Sequence, residues 1–262
     1  FDLKQYRAKD YSTHFKKFFD LIEYLEKNLR GAVNGTVVFS NPVSDFLDKN
    51  RIQLKSLFVS DDYSLEIPEG EKGFLDFLAD IEEDTSQMND EITAISAGME
   101  TMSSGINECT EEINRVQKSG GNGTAGFVRK QSKKAASYIS EFSKQLKQHT
   151  ESIQSLWAKI EKNTLGLLEN EYATKPENKE SLTDYIKALH KMMLSIKEAN
   201  QSVTVMKETS LNNLGIERSM NQSIRFLDQD LSEYLDMTEQ MVKSIERIIG
   251  KSRFIIGDVP LE

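Results

Sequence analysis

Three histidines and a single cysteine are the residues whose types could bind a metal or attack a substrate. Helical di-iron sites pair each histidine with a glutamate three residues earlier, so that both ligands share one helix face. None of His14, His149 and His190 is preceded in this way. No His-Glu-x-x-His run, paired Cys-x-x-Cys or Walker phosphate loop occurs, and the glycines near residue 120 lack the lysine and preceding strand of a phosphate cradle. His149 is the strongest single candidate because it falls within an apolar row at helical spacing, where a titrating imidazole can act as a switch. The plainer expectation is a partly buried histidine bonded to a neighbouring side chain. Cys109 occupies a similar row and is expected to be a buried thiol rather than a nucleophile. A lone cysteine makes no intramolecular disulfide, which points to a reducing, cytoplasmic compartment.

Two further groups stand out. Ser210, Asn213 and Glu217 interrupt an otherwise apolar seam next to Gly215, and are expected to fix register or mark a hinge. Arg129, Lys130, Lys133 and Lys134 form the one dense basic cluster. It could touch acidic lipid or a partner, although neutralising an acidic neighbouring helix is the plainer role. Four glycosylation sequons begin at Asn34, Asn122, Asn200 and Asn221; two fall inside expected helices, as chance matches would. These residues imply no catalytic constellation, metal or cofactor, and a non-enzymatic role is expected.

The elements that carry these residues are helices. Phe74, Leu78, Ile81, Thr85, Met88, Ile92, Ile95, Met99, Met102, Ile106, Cys109, Ile113 and Val116 keep strict four-three spacing, the mark of a narrow coiled-coil seam. The helix stops where three glycines fall between Ser119 and Gly123. A second helix is expected from about Ala125 to Glu169 on Ile139, Phe142, Leu146, His149, Ile153, Leu156 and Ile160. Twelve acids and three bases lie between Glu71 and Lys118, against four acids and eight bases between Ala125 and Asn170. Opposite flanks and a short loop favour antiparallel pairing of these two helices. Ser181 and Asp184 form a partial capping box that opens the next helix.

The stretch from Tyr185 to Ile248 keeps its phase across the polar interruption, with Met206 and Met220 two heptads apart. One continuous helix is therefore expected, a rod on the order of 100 Å long. The alternative is a Schellman stop at Gly215 that would turn it into a hairpin. Residues 1–30 read as a further helix, expected to pack against the C-terminal part of the long one. Residues 31–73 read as a connector with a short helix opening at Asn41-Pro42, residues 74–250 as the long-helix bundle, and residues 251–262 as a tail. A start at Phe1 and an end at Leu261-Glu262 read as an excised fragment with a tag remnant.

The expected fold is all-α: an elongated antiparallel helical bundle with coiled-coil-like heptad packing, three long helices plus an N-terminal helix. Its net charge of -9 excludes generic nucleic-acid binding, which needs a concentrated basic footprint. No run of apolar residues is long enough to cross a bilayer. The expected function is a scaffold or protein–protein interaction module, recruiting a protein partner or a second copy. Two alternatives are a membrane-binding dimer comparable in helix length to BAR-type proteins, touching lipid at the basic tip, and a helical pore-forming toxin component.

Overall fold

The structure, a computed structural model, describes residues 69–118, 125–210 and 218–261. They form α1 (Glu69–Lys118), α2 (Ala125–Glu169), a 3-10 turn (Glu171–Thr174), α3 (Pro176–Ser210) and α4 (Arg218–Ile256). No strand occurs among the described residues, and the fold is all-α. None of the described helices is long and apolar enough to cross a membrane. The expected N-terminal helix, the short helix at Asn41-Pro42, the glycine loop and the sequons at Asn34 and Asn122 lie outside the described residues. The sequon asparagines Asn200 and Asn221 both lie within helices.

Close contacts divide the described residues into two units. One holds residues 93–118, 125–151, 199–210 and 218–236; the other holds 69–92, 152–198 and 237–261. In the second unit, Asn170 donates to the Gly70 carbonyl at 3.0 Å, Lys159 pairs with Asp84 at 3.4 Å, and Ser152 donates to Glu91 at 2.8 Å. Numbers rise along α1 as they fall along α2, so the two helices run antiparallel there. Arg247 meets Glu161 at 2.5 Å and Lys251 pairs with Glu169, so α4 runs in the same direction as α2. Lys197 of α3 meets Glu246 of α4 at 2.6 Å. In the first unit, Lys134 pairs with Glu108 at 3.2 Å, and Gly105 gives the Tyr138 ring room that a methyl group would fill. There Ser140 and Ser223 share a hydrogen bond at 2.7 Å and Ser143 donates to Asp230, again with α4 following α2.

Burial explains why these sequences form these helices. On α1 the buried apolar residues keep the narrow four-three stripe, from Phe74, Leu78 and Ile81 to Ile106, Cys109 and Ile113. The other helices bury adjacent pairs: Leu156 with Trp157 and Leu167 with Leu168 on α2, Met192 with Met193 on α3, and Ile248 with Ile249 on α4. A wider stripe is what a helix shows when it packs against more than one neighbour. Each such side chain contributes about 1.5–3 kcal/mol on burial. The exposed ion pairs contribute little, about 0–1 kcal/mol each. They indicate register more than they hold it.

Several expectations need correction. Tyr185 to Ile248 is not one continuous helix. Lys197 and Glu246 would stand about 70 Å apart along a straight helix, at 1.5 Å per residue, yet their side chains touch. The chain therefore reverses between α3 and α4. A preserved heptad phase did not require continuity, because both arms of a hairpin can bury the same kind of stripe. The C-terminal part of that stretch has Glu161 of α2 and Lys197 of α3 as partners; the N-terminal helix expected to pack there lies outside the described residues.

Three boundaries also move. α1 begins at Glu69, within the expected connector. α3 begins at Pro176 rather than at a Ser181 cap, since proline at the first helical position loses no needed hydrogen bond. The turn before it is tied down by Asn170, whose side chain accepts from Tyr172 N–H, and by Asn178, which donates to the Tyr172 carbonyl at 2.9 Å. α4 passes through Gly250 and stops at Gly257. The Gly257 φ of 84° and its N–H bond to the Arg253 carbonyl at 3.1 Å form a left-handed cap. The tail thus begins after residue 256, six residues later than expected.

Candidate functional site

Within the second unit, α2 and α4 run side by side and leave a groove of about 330 Å3 between them. Gln154, Trp157, Ala158 and Glu161 line it from α2; Met237, Gln240, Met241, Lys243, Ser244 and Arg247 line it from α4. The spacing follows from the helix repeat. Residues three and four apart stack on one face, so Gln154, Trp157, Ala158 and Glu161 form a single strip, as do Met237, Gln240, Met241, Ser244 and Arg247.

Trp157, Met237, Met241 and Ser244 are almost wholly buried and form the base, while Gln154, Gln240, Lys243 and Arg247 are exposed at the rim. The Trp157 Nε1 donor and the Ser244 Oγ are both buried without a hydrogen-bond partner. Buried polar atoms are nearly always satisfied, so two unsatisfied ones on residues that line one groove are unusual. At the rim the charges are already matched: Arg247 with Glu161 at 2.5 Å and Lys243 with Glu239 at 2.9 Å. Methionine supplies an adaptable apolar surface, and tryptophan and arginine are the residue types that most often anchor partners.

The residues singled out from sequence lie elsewhere. His149 is half-buried on α2 in the first unit, next to Thr150, whose hydroxyl donates to the Leu146 carbonyl at 2.7 Å. Among the described residues, no group of three His, Cys, Asp or Glu side chains is placed to hold a metal ion. Cys109 is fully buried, and desolvation pushes its thiol above the ordinary range, with nearby Lys134 acting against that shift. A thiol so placed keeps its proton and is a poor nucleophile.

Arg129, Lys130, Lys133 and Lys134 are all exposed on the first three turns of α2. Lys134 is engaged with Glu108 of α1, and this hydrogen bond raises its pKa above the usual lysine value. Ser210 is the last residue of α3, while Asn213, Gly215 and Glu217 lie outside the described residues.

A polar contact set that sequence reasoning passed over lies in the first unit. Asp230 is 9 % exposed and accepts a hydrogen bond from the buried Ser143, close to the Ser140–Ser223 bond. A charged residue within the apolar periodicity of α4 was the available signal. For the groove, the signal was the chain's one tryptophan, set next to Leu156 and so outside a strict two-in-seven stripe. No family model, curated protein or solved structure matches this chain.

Proposed function

We propose that this chain is a non-catalytic helical scaffold, a bundle with heptad-type packing that recruits a protein partner or a second copy of itself. The observation that carries this is the groove between α2 and α4, with a base of Trp157, Met237 and Met241 and a polar, charge-matched rim. Interfaces combine an aromatic or methionine centre with a polar rim in this manner. Buried contacts such as Thr164 with Tyr185 hold the surrounding helices in one register and keep the groove in shape. The buried, protonated Cys109 suits a reducing, cytoplasmic setting.

The test is site-specific photocrosslinking of the full chain in its own cell extract. A benzophenone amino acid replaces Gln240 at the groove rim or, as control, the exposed Lys191 of α3. A discrete adduct from position 240 and none from 191 is expected. No adduct from 240, or the same adducts from both positions, would contradict the proposal.

Binding to a membrane surface, as in BAR-type dimers, has one observation in its favour, the exposed row of Arg129, Lys130 and Lys133. The engagement of Lys134 by Glu108 counts against it. Co-sedimentation with anionic vesicles that is lost when Arg129, Lys130 and Lys133 become glutamate would favour the membrane; equal recovery of both proteins in the supernatant would exclude it.

A further inference from the structure

We infer that the groove between α2 and α4 takes an extended, uncharged peptide segment of the partner, seating one apolar side chain and one main-chain carbonyl. This rests on the interaction role proposed above and specifies the chemistry of what is bound. Three observations on the groove lead to it.

The first is the pair of unsatisfied atoms. Trp157, 5 % exposed, offers a donor only, and Ser244, 2 % exposed, can donate or accept; neither has a partner. An unpaired buried donor is costly, and a bound carbonyl oxygen relieves that cost. Peptide carbonyls are the acceptors most abundant on a protein partner, and they are unpaired when the segment is extended, whereas within a helix they are already engaged. The second is the volume. About 330 Å3 lies at the small end of ligand pockets, enough for a side chain and its peptide unit but not for a whole helix. The third is charge. Arg247 and Lys243 already have carboxylate partners, Glu161 and Glu239. An ionised side chain entering here would lose water without gaining a free counter-charge, so the apolar lining of Met237 and Met241 selects a neutral occupant.

The chain's single tryptophan makes the test direct, because one indole N–H resonance reports on the groove. The full chain labelled with 15N is titrated with N-acetyl-leucine-N-methylamide. The Trp157 indole signal should move downfield and saturate, as hydrogen bonding to a carbonyl requires. N-acetyl-glycine-N-methylamide, which lacks the apolar side chain, and N-acetyl-leucine, which carries a carboxylate, should each bind several-fold more weakly. Ser244→Ala removes an unpaired hydroxyl and leaves the helices intact; it should weaken binding about fivefold, the loss of one ordinary hydrogen bond. An indole signal that stays still up to the solubility limit of the leucine amide overturns the inference. So does an equal response to the glycine compound or to the free carboxylate. If position 240 crosslinks a partner while the indole ignores the amide, the peptide chemistry is wrong and the scaffold role stands. If the indole responds and no partner crosslinks, the scaffold role is what fails.

Discussion

At the scale of single residues, the buried hydroxyl groups carry the most specific consequences. Tyr185 is fully buried, and its hydroxyl lies 2.6 Å from that of Thr164 across the α2–α3 contact. Tyr185→Phe leaves the Thr164 hydroxyl buried without that partner, and stability measured by urea unfolding should fall by about 1–2 kcal/mol. Both Tyr185 and Tyr234 hold their protons more tightly in the folded chain, because burial disfavours the phenolate. Tyr234 is pushed up to about 12 from an ordinary value of 10.0, and Tyr185 is raised as well, against the opposing effect of the Thr164 bond. Their contribution to stability is therefore complete below the unfolded value near 10 and is lost as pH rises through the folded value. The denaturation midpoint should hold steady up to about pH 9 and drop clearly by about pH 11. A midpoint unchanged over that range would show that the phenols are not buried as described.

At the scale of elements, Gly250 within α4 and Gly257 just after it act in opposite ways. Gly250 lies in the helix interior with open space around the position of a Cβ, so Gly250→Ala should stabilise the protein by about 0.5–1 kcal/mol through helix propensity alone. Gly257 has the left-handed φ that ends the helix, and Gly257→Ala should cost about 1 kcal/mol. Thermal melts of the two variants should move in opposite directions. The Ser143–Asp230 contact behaves differently again. Asp230→Ala alone strands the Ser143 hydroxyl and should cost about 1–3 kcal/mol, whereas Ser143→Ala with Asp230→Leu should be near neutral or stabilising, because both polar groups then leave together. Equal losses in the single and double variants would show that the contact itself supplies the stability.

The periodicity made α1 and α2 legible in the sequence, because each keeps a long apolar stripe between glycine or polar breaks. Lys159 with Asp84 and Lys134 with Glu108 each join a base of α2 to an acid of α1, the kind of contact that the opposite charge of the two helices suggested. The reversal between α3 and α4 was legible only as the alternative to a continuous helix, because a helix hairpin and a straight rod bury the same heptad positions. The bundle was expected to end at residue 250, and glycine alone does not reveal its φ; only the backbone distinguishes Gly250 from Gly257. The groove was hidden for a related reason. Trp157 and Ser244 line one groove only because α4 lies beside α2, a pairing between residues 87 positions apart that periodicity within either helix cannot specify.

At the scale of the whole molecule, the proposed function places binding at the groove between α2 and α4. Trp157→Ala with Met241→Ala should remove the adduct formed at position 240 while the far-ultraviolet circular dichroism stays helical; an undiminished adduct would place the contact outside the groove. Every part of this depends on α4 returning alongside α2 and α3. The most direct measurement is the distance between spin labels at Lys197→Cys and Glu246→Cys, with Cys109→Ala to leave no other thiol, by pulsed electron resonance. The contact between these two residues requires a distance at the short limit of the method. A distance of about 70 Å, the span of an unbroken helix at 1.5 Å per residue, would contradict the reversal and with it the groove and the proposed function.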